Sequence, residues 1–517
     1  MTKDTTAEIE PGKLRGALSA GIHSFKGVPY GQSTAGPGRF MAPRKPQPWT
    51  GLREALSLGD QAPQPDRAIR PANAWIRDTM PTSETCLYLN VFTPAVKDGG
   101  KRPVMVWLHG GGYFAGSGGA EGLDGSNLAQ RGDVVVVTLN HRLNAFGYCH
   151  LAEAGGEKFA DSGNAGMLDI VMALEWVRDN IGEFGGDAGN VTIFGQSGGG
   201  SKVAVMMTMP AAKGLFHKAV MQSSSSHLRL ASAENADRAA RQLMTEAGAD
   251  SADAMRGVGA DALLAGYKAA VQASYGNDSF RPVVDGRAIL NHPFDLDAPD
   301  LASDIPLLIG SCETEKSFYD INLDPAKLPL TPDQLQADVK RFVGIADGET
   351  RDLIAHYRDR RGDASERDLF NLISSDHMYR RNAIAAAERK SKLGGAPAWL
   401  YEFTWKTPVL GGMLKTPHTL CIPFVFGNIE IAREFVGTGP EQTALMDTAM
   451  ETWLAFARTG NPNNARLPDW QPYDAADRTT MIFDNECGPV RDPKREDRLT
   501  IGACPQFISD EQWSAAA

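Results

Sequence analysis

Short apolar strands alternate with helical patterns through the middle of this chain, and this alternation is the feature that most constrains its fold. The predicted strands are Pro103–Leu108, Asp133–Leu139, Val191–Phe194, Ala219–Gln222, Pro306–Ile309 and Trp399–Phe403. The spacing of apolar residues predicts helices over Asp169–Ile181 and Ser201–Met209 and over about 233–247, 332–343, 377–391 and 441–458. Because parallel strands need a crossover connection, this pattern predicts βαβ units and a mostly parallel central sheet flanked by helices.

The rest of the chain fits one large α/β unit. The first hundred residues are rich in Pro and Gly, which predicts hairpins and long loops. No internal repeat and no Gly/Ser-rich or Pro-rich linker divides the sequence. We therefore expect a single domain over residues 1–517, with long insertions.

Composition excludes several classes of function. The 52 Lys and Arg residues against 63 Asp and Glu give a net charge of −11, which argues against nucleic acid and anionic membranes as partners. No apolar run is long enough to span a bilayer, and the first residues lack the apolar core of a signal peptide, so we expect a cytoplasmic protein. The six cysteines form no CxxC pair, which favours free thiols and makes a metal site improbable.

The strongest local motif lies at Gly195-Gln196-Ser197-Gly198-Gly199, between a predicted strand and a predicted helix. This is the G-x-S-x-G pattern of a nucleophile elbow, in which small residues let the backbones pack around an exposed serine. A phosphate-binding loop is an alternative, although Lys202 follows Ser201 in the wrong order for that motif. A simple packing turn is the third interpretation.

A second glycine motif follows the strand Pro103–Leu108. The sequence His109-Gly110-Gly111-Gly112 leaves backbone N–H groups that could point at a ligand. Acyl transfer needs such donors where the substrate carbonyl oxygen becomes negative. Gly111 and Gly112, with Gly198 after the serine, are therefore candidate oxyanion-hole donors, the alternative being a flexible loop.

Many blocks in a fixed order resemble one enzyme family. They include Phe25–Gly31 (FKGVPYG), Glu84–Pro94 (ETCLYLNVFTP), Leu139–Tyr148 (LNHRLNAFGY), Asn164–Asp187 and Pro423–Asn428 (PFVFGN). The chain resembles a type-B carboxylesterase of the α/β-hydrolase fold, the group of the cholinesterases and bacterial p-nitrobenzyl esterases. In that family, Arg39 would pair with Glu84 and Arg142 with Asp169 as structural ion pairs.

The resemblance implies a catalytic triad in the order Ser, Glu, His. Glu315 matches the acid position, with Lys316 in place of the usual glycine, and Glu313 is its competitor. His418 matches the histidine that precedes the PFVFG block, whereas His377 lies in an amphipathic helical stretch and reads as structural.

The implied mechanism needs no cofactor and no metal. His418 would take the proton from Ser197, Glu315 would hold the imidazole, and water would release the acid from an acyl-enzyme. We therefore expect a serine carboxylic-ester hydrolase with a small-molecule ester substrate.

Several residues depart from the family pattern. Gln196 and Cys421 stand where two glutamates are common, which predicts a less negative site that acts on small neutral esters. Gly198 replaces a common alanine without loss of the backbone N–H. Cys86 matches a disulfide-bonded cysteine of secreted members, but no earlier cysteine is present to pair with it.

The substrate pocket is predicted by position only. Tyr113, Phe114, Gln196 and Phe318 are candidate substrate contacts, and residues near Met207 and Ser223 are further candidates. Two other functions stay open at this stage. One is an amide or carbamate hydrolase with the same triad, and the other is a non-catalytic cholinesterase-like binding protein.

Overall fold

The computed structural model describes residues 4–274 and 280–507. Its strands are β1 (Thr6–Ile9), β2 (Gly12–Arg15), β3 (Ala17–Ser19), β4 (Ile22–Pro29), β5 (Leu52–Glu54), β6 (Tyr88–Thr93), β7 (Arg102–Leu108), β8 (Val135–Leu139), β9 (Gly186–Gln196), β10 (Lys218–Gln222), β11 (Ala231–Ser232), β12 (Val283–Val284), β13 (Leu307–Cys312), β14 (Ala398–Phe403), β15 (Thr479–Phe483) and β16 (Gly488–Arg491).

The helices fall mainly between these strands. They are α1 (Pro71–Ala74), α2 (Ser126–Gly132), α3 (Asn144–Tyr148), α4 (Ala152–Gly155), α5 (Ala165–Asn180), α6 (Gly198–Met206), α7 (Ala233–Glu246), α8 (Ala252–Met255), α9 (Ala260–Ser274), α10 (Pro332–Val343), α11 (Asp347–Arg361), α12 (Glu366–Ser375), α13 (Arg381–Leu393), α14 (Cys421–Phe426), α15 (Arg433–Val436), α16 (Pro440–Thr459) and α17 (Arg495–Ala503). No helix in the described part of the chain is long and apolar enough to cross a membrane.

An eleven-stranded sheet in the order β16-β15-β14-β13-β10-β9-β7-β8-β6-β4-β3 forms the centre of the fold. Every neighbouring pair from β15 to β8 is parallel, whereas β16 at one edge and β6, β4 and β3 at the other are antiparallel. The predicted mostly parallel sheet flanked by helices is therefore confirmed. The carboxyl ends of the parallel strands meet at one edge, where ligands bind in open α/β sheets.

The sheet is buried on both faces. Along β7, Val104, Val106 and Leu108 belong to one apolar cluster, whereas Met105 and Trp107 belong to another. Since alternate side chains of a strand point to opposite faces, the two clusters are the cores on the two sides of the sheet. This double burial is why these strands are continuous apolar runs rather than alternating patterns.

The sequence located most elements and misplaced some of their ends. The helices predicted over 233–247, 332–343 and 441–458 are confirmed to within one residue at each end. The helix predicted over 201–209 begins earlier, at Gly198, because three glycines hide the helical pattern. The start of the helix predicted over 377–391 is wrong, because a π-helical turn at Asp376–Arg380 joins α12 to α13.

Two predicted ion pairs lie inside the protein. Arg142 Nη2 is 2.6 Å from Asp169 Oδ1, and Arg39 Nη2 is 2.5 Å from Glu84 Oε2. All four side chains are buried, and each carboxylate also accepts a second bond from the Nε of its arginine. The first bidentate pair ties the loop after β8 to α5, and the second joins two loops, in agreement with the structural role expected for them. The six cysteines are free thiols.

Candidate active site

Ser197 lies in the tight turn between β9 and α6, at the carboxyl edge of the parallel strands. Its backbone has φ 59° and ψ −127°, a strained conformation for a residue with a side chain. Its N–H donates to the carbonyl oxygen of Gln222 at 2.8 Å, which anchors the turn to β10. Because α6 begins at the next residue, the positive end of the helix dipole lies beside the serine.

The glycines on either side of Ser197 are required by close packing. A Cβ on Gly199 would lie 2.0 Å from the carbonyl oxygen of Leu108, the last residue of β7. A Cβ on Gly195 would lie 2.5 Å from the carbonyl carbon of Gly199. Only glycine at both positions allows β7, the turn and α6 to approach this closely, which is the packing that the G-x-S-x-G pattern predicts.

Glu315 and His418 form a buried hydrogen-bonded pair. Glu315 follows β13, and its Oε2 accepts a short hydrogen bond from Nδ1 of His418, in the loop before α14. Its Oε1 accepts from the N–H of Cys312 at 2.7 Å, and its carbonyl oxygen accepts from the N–H of His418 at 3.1 Å. Because a carboxylate only accepts, Nδ1 carries the proton and Nε2 is left as the basic nitrogen.

The competing candidates lie elsewhere. Lys494 Nζ is 2.7 Å from a carboxylate oxygen of Glu313. Nε2 of His377 donates to the carbonyl oxygen of Pro505 at 2.8 Å, and burial lowers the pKa of this histidine to about 4. Neither Glu313 nor His377 is among the described residues that line the cavity beside Ser197.

Gln196 packs across the face of the His418 ring. Its Nε2 lies 3.2 Å from Nδ1 and 3.1 Å from Nε2 of the imidazole. One atom cannot lie along the in-plane directions of both ring nitrogens, so the amide must lie over the plane of the ring. The lone pair of His418 Nε2, which lies in the plane of the ring, is thus left for another donor. In the described residues, no hydrogen bond joins His418 Nε2 to Ser197 Oγ.

The loop after β7 presents free backbone donors next to the serine. Gly111 and Gly112 have φ of 93° and 61°, values that only glycine adopts without strain. The N–H groups of Gly111, Gly112 and Gly198 donate to no acceptor within the described residues. A Cβ on Gly198 would lie 2.5 Å from the nitrogen of Gly112, so the loop and the start of α6 are in direct contact.

A buried lysine on α6 contacts this loop. The G-x-S-x-G motif gave this lysine no role. Nζ of Lys202, on α6, donates to the carbonyl oxygens of His109 and Gly112 at 2.9 Å each. Burial lowers the pKa of Lys202 to about 7. The lysine therefore holds the glycine loop in place and does not face a phosphate site. In the sequence, the one feature that could have indicated this role is its position five residues after Ser197.

A cavity of about 460 Å³ lies beside Ser197 and contains the predicted substrate contacts. Tyr113, Phe114, Gln196 and Phe318 line it, together with the triad candidates Ser197 and His418 and the three glycines that are candidate oxyanion-hole donors. Of the residues near Met207 and Ser223, Ser225 and Ser226 line it, whereas Met207 and Ser223 themselves are not among the described residues of its wall.

Aromatic rings frame the imidazole of His418. The ring centroid of Tyr379 lies 5.0 Å away, and those of Phe318 and Tyr319 lie 6.2 Å away. No group of three or more His, Cys, Asp or Glu residues suited to a metal ion occurs in the described ranges.

Two arginines in the wall of this cavity were missed by sequence reasoning. Arg67 and Arg77 lie on the irregular segment before β6, where no periodicity or motif singles them out. Their side chains make no hydrogen bond or ion pair with a described residue, and Arg77 Nε is fully buried.

Comparison with known proteins identifies the family of this chain. The sequence model of the carboxylesterase family matches residues 3–501. The chain is 35% identical to the para-nitrobenzyl esterase of Bacillus subtilis (strain 168), over 95% of this chain and 97% of that protein. It is 32% identical to the phenmedipham hydrolase of Pseudarthrobacter oxydans, over 96% of this chain and 98% of that protein.

Solved structures give the same result. The crystal structure of a Geobacillus stearothermophilus carboxylesterase superposes with a TM-score of 0.82 and 36% identity, over 96% of this chain and 99% of that one. An esterase from Clostridium hathewayi superposes with a TM-score of 0.79 and 30% identity, over 99% of this chain and 98% of that one. The chain therefore belongs to the carboxylesterase family, enzymes of the α/β-hydrolase fold that hydrolyse esters.

Proposed function

We propose that this protein is a serine carboxylic-ester hydrolase that works through an acyl-enzyme formed on Ser197. The observation that carries this function is the buried Glu315–His418 pair, whose imidazole lines one cavity with Ser197 and with glycine N–H groups that donate to no acceptor in the described residues. A serine hydroxyl is a poor nucleophile at neutral pH, and a neighbouring imidazole whose other nitrogen is bound to a carboxylate supplies the base it needs.

The proton and the acyl group follow separate paths. Ser197 Oγ attacks the ester carbonyl carbon while Nε2 of His418 accepts the hydroxyl proton. The tetrahedral intermediate then breaks its bond to the alcohol oxygen, which takes the proton from the imidazolium. A water molecule repeats the sequence on the acyl-enzyme, releases the acid and restores the serine. Glu315 stays ionised throughout and stabilises the imidazolium.

The oxyanion is stabilised by groups that are in place before the reaction. The N–H groups of Gly111, Gly112 and Gly198 are candidate donors to the substrate oxygen, and the loss of one such donor typically costs ~10²–10³ in rate. Lys202 supports the loop because its Nζ donates to the carbonyl oxygens of His109 and Gly112, before and after the Gly111 residue. These two contacts restrain the backbone of the loop that carries the Gly111 and Gly112 N–H groups.

The wall of the cavity argues against cationic substrates. Gln196 is neutral, and no Asp or Glu occurs among the described lining residues. Cys421 is buried, and its sulfur accepts from Gln222 Nε2 at 3.2 Å. A positively charged ester would therefore find no carboxylate partner in the described wall of this cavity.

Carbamate hydrolysis is a second candidate activity. The phenmedipham hydrolase of Pseudarthrobacter oxydans is 32% identical to this chain, and its name assigns to that relative the hydrolysis of phenmedipham. The same serine chemistry can hydrolyse a carbamate, so comparison of a matched ester, amide and carbamate would separate these activities.

A purely non-catalytic binding role is disfavoured because Ser197, Glu315 and His418 are all present.

The test is a chain-length series of p-nitrophenyl esters with wild type and three variants. We expect Ser197→Ala to lose about 10³-fold or more in kcat, and Glu315→Gln to lose at least about tenfold. Glu313→Gln is the matched control, since Glu313 pairs with Lys494 outside the cavity, and it should retain the wild-type rate. Wild-type turnover by Ser197→Ala would reject the serine mechanism.

A further inference from the structure

Two guanidinium groups line the same cavity as Ser197 and have no partner of opposite charge in the described part of the chain. Arg67 and Arg77 are both half-buried, and neither side chain forms an ion pair or hydrogen bond with any described residue. Nε of Arg77 is buried and has no acceptor among residues 4–274 and 280–507. Buried or half-buried charges are normally paired, so a pair of free guanidiniums at a substrate cavity calls for a ligand that supplies the missing acceptors.

The local charge is opposite to that of the whole protein. The chain carries a net charge of −11, yet no carboxylate occurs among the described residues that line this cavity. Asp78, next to Arg77 in the chain, uses one oxygen to accept from the Ser117 hydroxyl and the other to accept from the Met80 N–H. The wall is therefore a positive site on an acidic protein, which would concentrate anionic ligands.

The segment that carries the arginines is fixed to the glycine loop at both ends. Gln64 accepts from the N–H of Gly116 at 2.8 Å and donates to its carbonyl oxygen at 3.1 Å. At the far end, the Ser117 hydroxyl donates to Asp78. Arg67 and Arg77 lie between these two anchors, so both belong to a segment that is tied to the loop beside Ser197.

The two charges are unfavourable to each other in the absence of an anion. Burial lowers the pKa of Arg67. Burial, followed by the positive charge of Arg67, lowers the pKa of Arg77 to about 10. The two groups are thus close enough to repel each other, and one anion placed between them would relieve both charges.

A third cation lies near the same wall. Lys316 occupies the position where the family has glycine, and its Nζ lies 4.5 Å from the ring centroid of Tyr319, which lines the cavity. Burial lowers the pKa of Lys316 to about 8, and the nearby Asp320 partly opposes this effect. Lysine in place of the family's glycine therefore adds a positive charge near this wall of the cavity.

We propose, resting on the serine-esterase function above, that the preferred ester carries a carboxylate group, which Arg67 and Arg77 bind while its ester carbonyl lies at Ser197. A carboxylate is planar and accepts two parallel hydrogen bonds, the geometry that a guanidinium offers. The cavity volume of about 460 Å³ suits a small molecule with one such group beyond the scissile bond. The carboxylate lies on the acyl part or on the alcohol part of the ester.

The experiment uses two matched ester pairs. On the acyl side, p-nitrophenyl hydrogen adipate is compared with p-nitrophenyl hexanoate, which has a methyl group in place of the carboxylate. On the alcohol side, meta-carboxyphenyl acetate is compared with meta-acetylphenyl acetate. The rate with Ser197→Ala is subtracted in each case, so that spontaneous or intramolecular hydrolysis does not count.

The measured quantity is the ratio of kcat/KM for the carboxylate ester to kcat/KM for its neutral partner. In wild type we expect this ratio to be about tenfold or more for one of the two pairs, mainly through KM, and to fall as salt is added. Arg67→Gln and Arg77→Gln should each lower the ratio by about fivefold or more, and Arg77→Lys should lower it less. Arg70→Gln, an exposed arginine on the same segment, is the control and should keep the wild-type ratio.

Two outcomes overturn the proposal in distinguishable ways. If the neutral esters are hydrolysed as fast as both carboxylate esters, and the arginine variants leave the ratios unchanged, the carboxylate preference is wrong and the esterase function stands. If none of the four esters shows hydrolysis that depends on Ser197, the esterase function itself is wrong, and the preference fails with it.

Discussion

Lys202 places an ammonium group in the interior of the protein, directly beneath the glycine loop. The side chain is completely buried, and its two acceptors are the carbonyl oxygens of His109 and Gly112 rather than a carboxylate. Burial disfavours the charged form and lowers the pKa of Lys202 from 10.5 to about 7. We therefore expect Lys202→Met, which keeps the length of the side chain without its charge, to change how stability depends on pH.

The sign follows from proton binding in the two states. In the unfolded chain Lys202 keeps its proton up to about pH 10.5, whereas in the folded protein it loses it near pH 7. Between these values the unfolded state binds more protons, so the free energy of unfolding rises with pH. From about pH 6.5 to about pH 9 this rise is about 2.5 kcal/mol. The Lys202→Met variant lacks it, so the variant should lose about that much stability relative to wild type over the interval.

Equilibrium unfolding in urea, followed by tryptophan fluorescence at both pH values, measures this difference. Groups outside the influence of the Lys202 charge contribute equally to wild type and variant and cancel in the comparison. Burial, the larger cause, keeps the pKa values of His109 and His141 well below 6.5 in either protein, although the Lys202 charge also lowers them. Lys213→Met, at an exposed lysine, is the control and should show no pH-dependent difference. A stability difference for Lys202→Met that stays constant with pH would refute the assignment of a buried, titrating ammonium to this position.

Three further predictions follow from single contacts. Gly199→Ala should lower kcat/KM for p-nitrophenyl esters by at least about tenfold and should also lower the Tm, because the new Cβ would lie 2.0 Å from the carbonyl oxygen of Leu108 and would push α6 and the serine turn away from β7. Asp169→Asn should lower the free energy of unfolding in urea by about 3–5 kcal/mol, since it leaves Arg142 buried without its charge partner. Thr331→Ala removes the side chain that caps α10 and should cost about 1 kcal/mol in the same assay.

The serine turn could be predicted from sequence because its geometry is local. A buried strand, glycines at fixed spacing around Ser197 and a following helix are all contained within one short segment, and the structure contains each of them. Glu315 and His418 are different, because no local rule relates residues so far apart along the chain. Their identification needed the resemblance to a family, and spacing alone left Glu313 and His377 in competition.

The residues that sequence reasoning missed share a physical cause. Arg67 and Arg77 lie in irregular backbone on either side of the short helix α1, and an arginine at such a position is normally exposed and solvated. A lysine such as Lys202 is normally exposed to solvent. Here the glycines before it let α6 pack so closely against β7 that the Lys202 side chain is enclosed. In each case tertiary packing, which the sequence does not reveal directly, decides what the charged group contacts.

The distance along the chain between the candidate catalytic groups has a consequence for how the protein acquires activity. Glu315 and His418 are 103 residues apart, and Ser197 lies in the turn after β9, more than a hundred residues before Glu315. Parallel strands pair only after long crossovers close, so such contacts form late in folding. During refolding, helix content should return well before turnover does, and a truncated fragment of the chain should be inert. Recovered catalysis would thus serve as a kinetic marker for completion of the whole sheet.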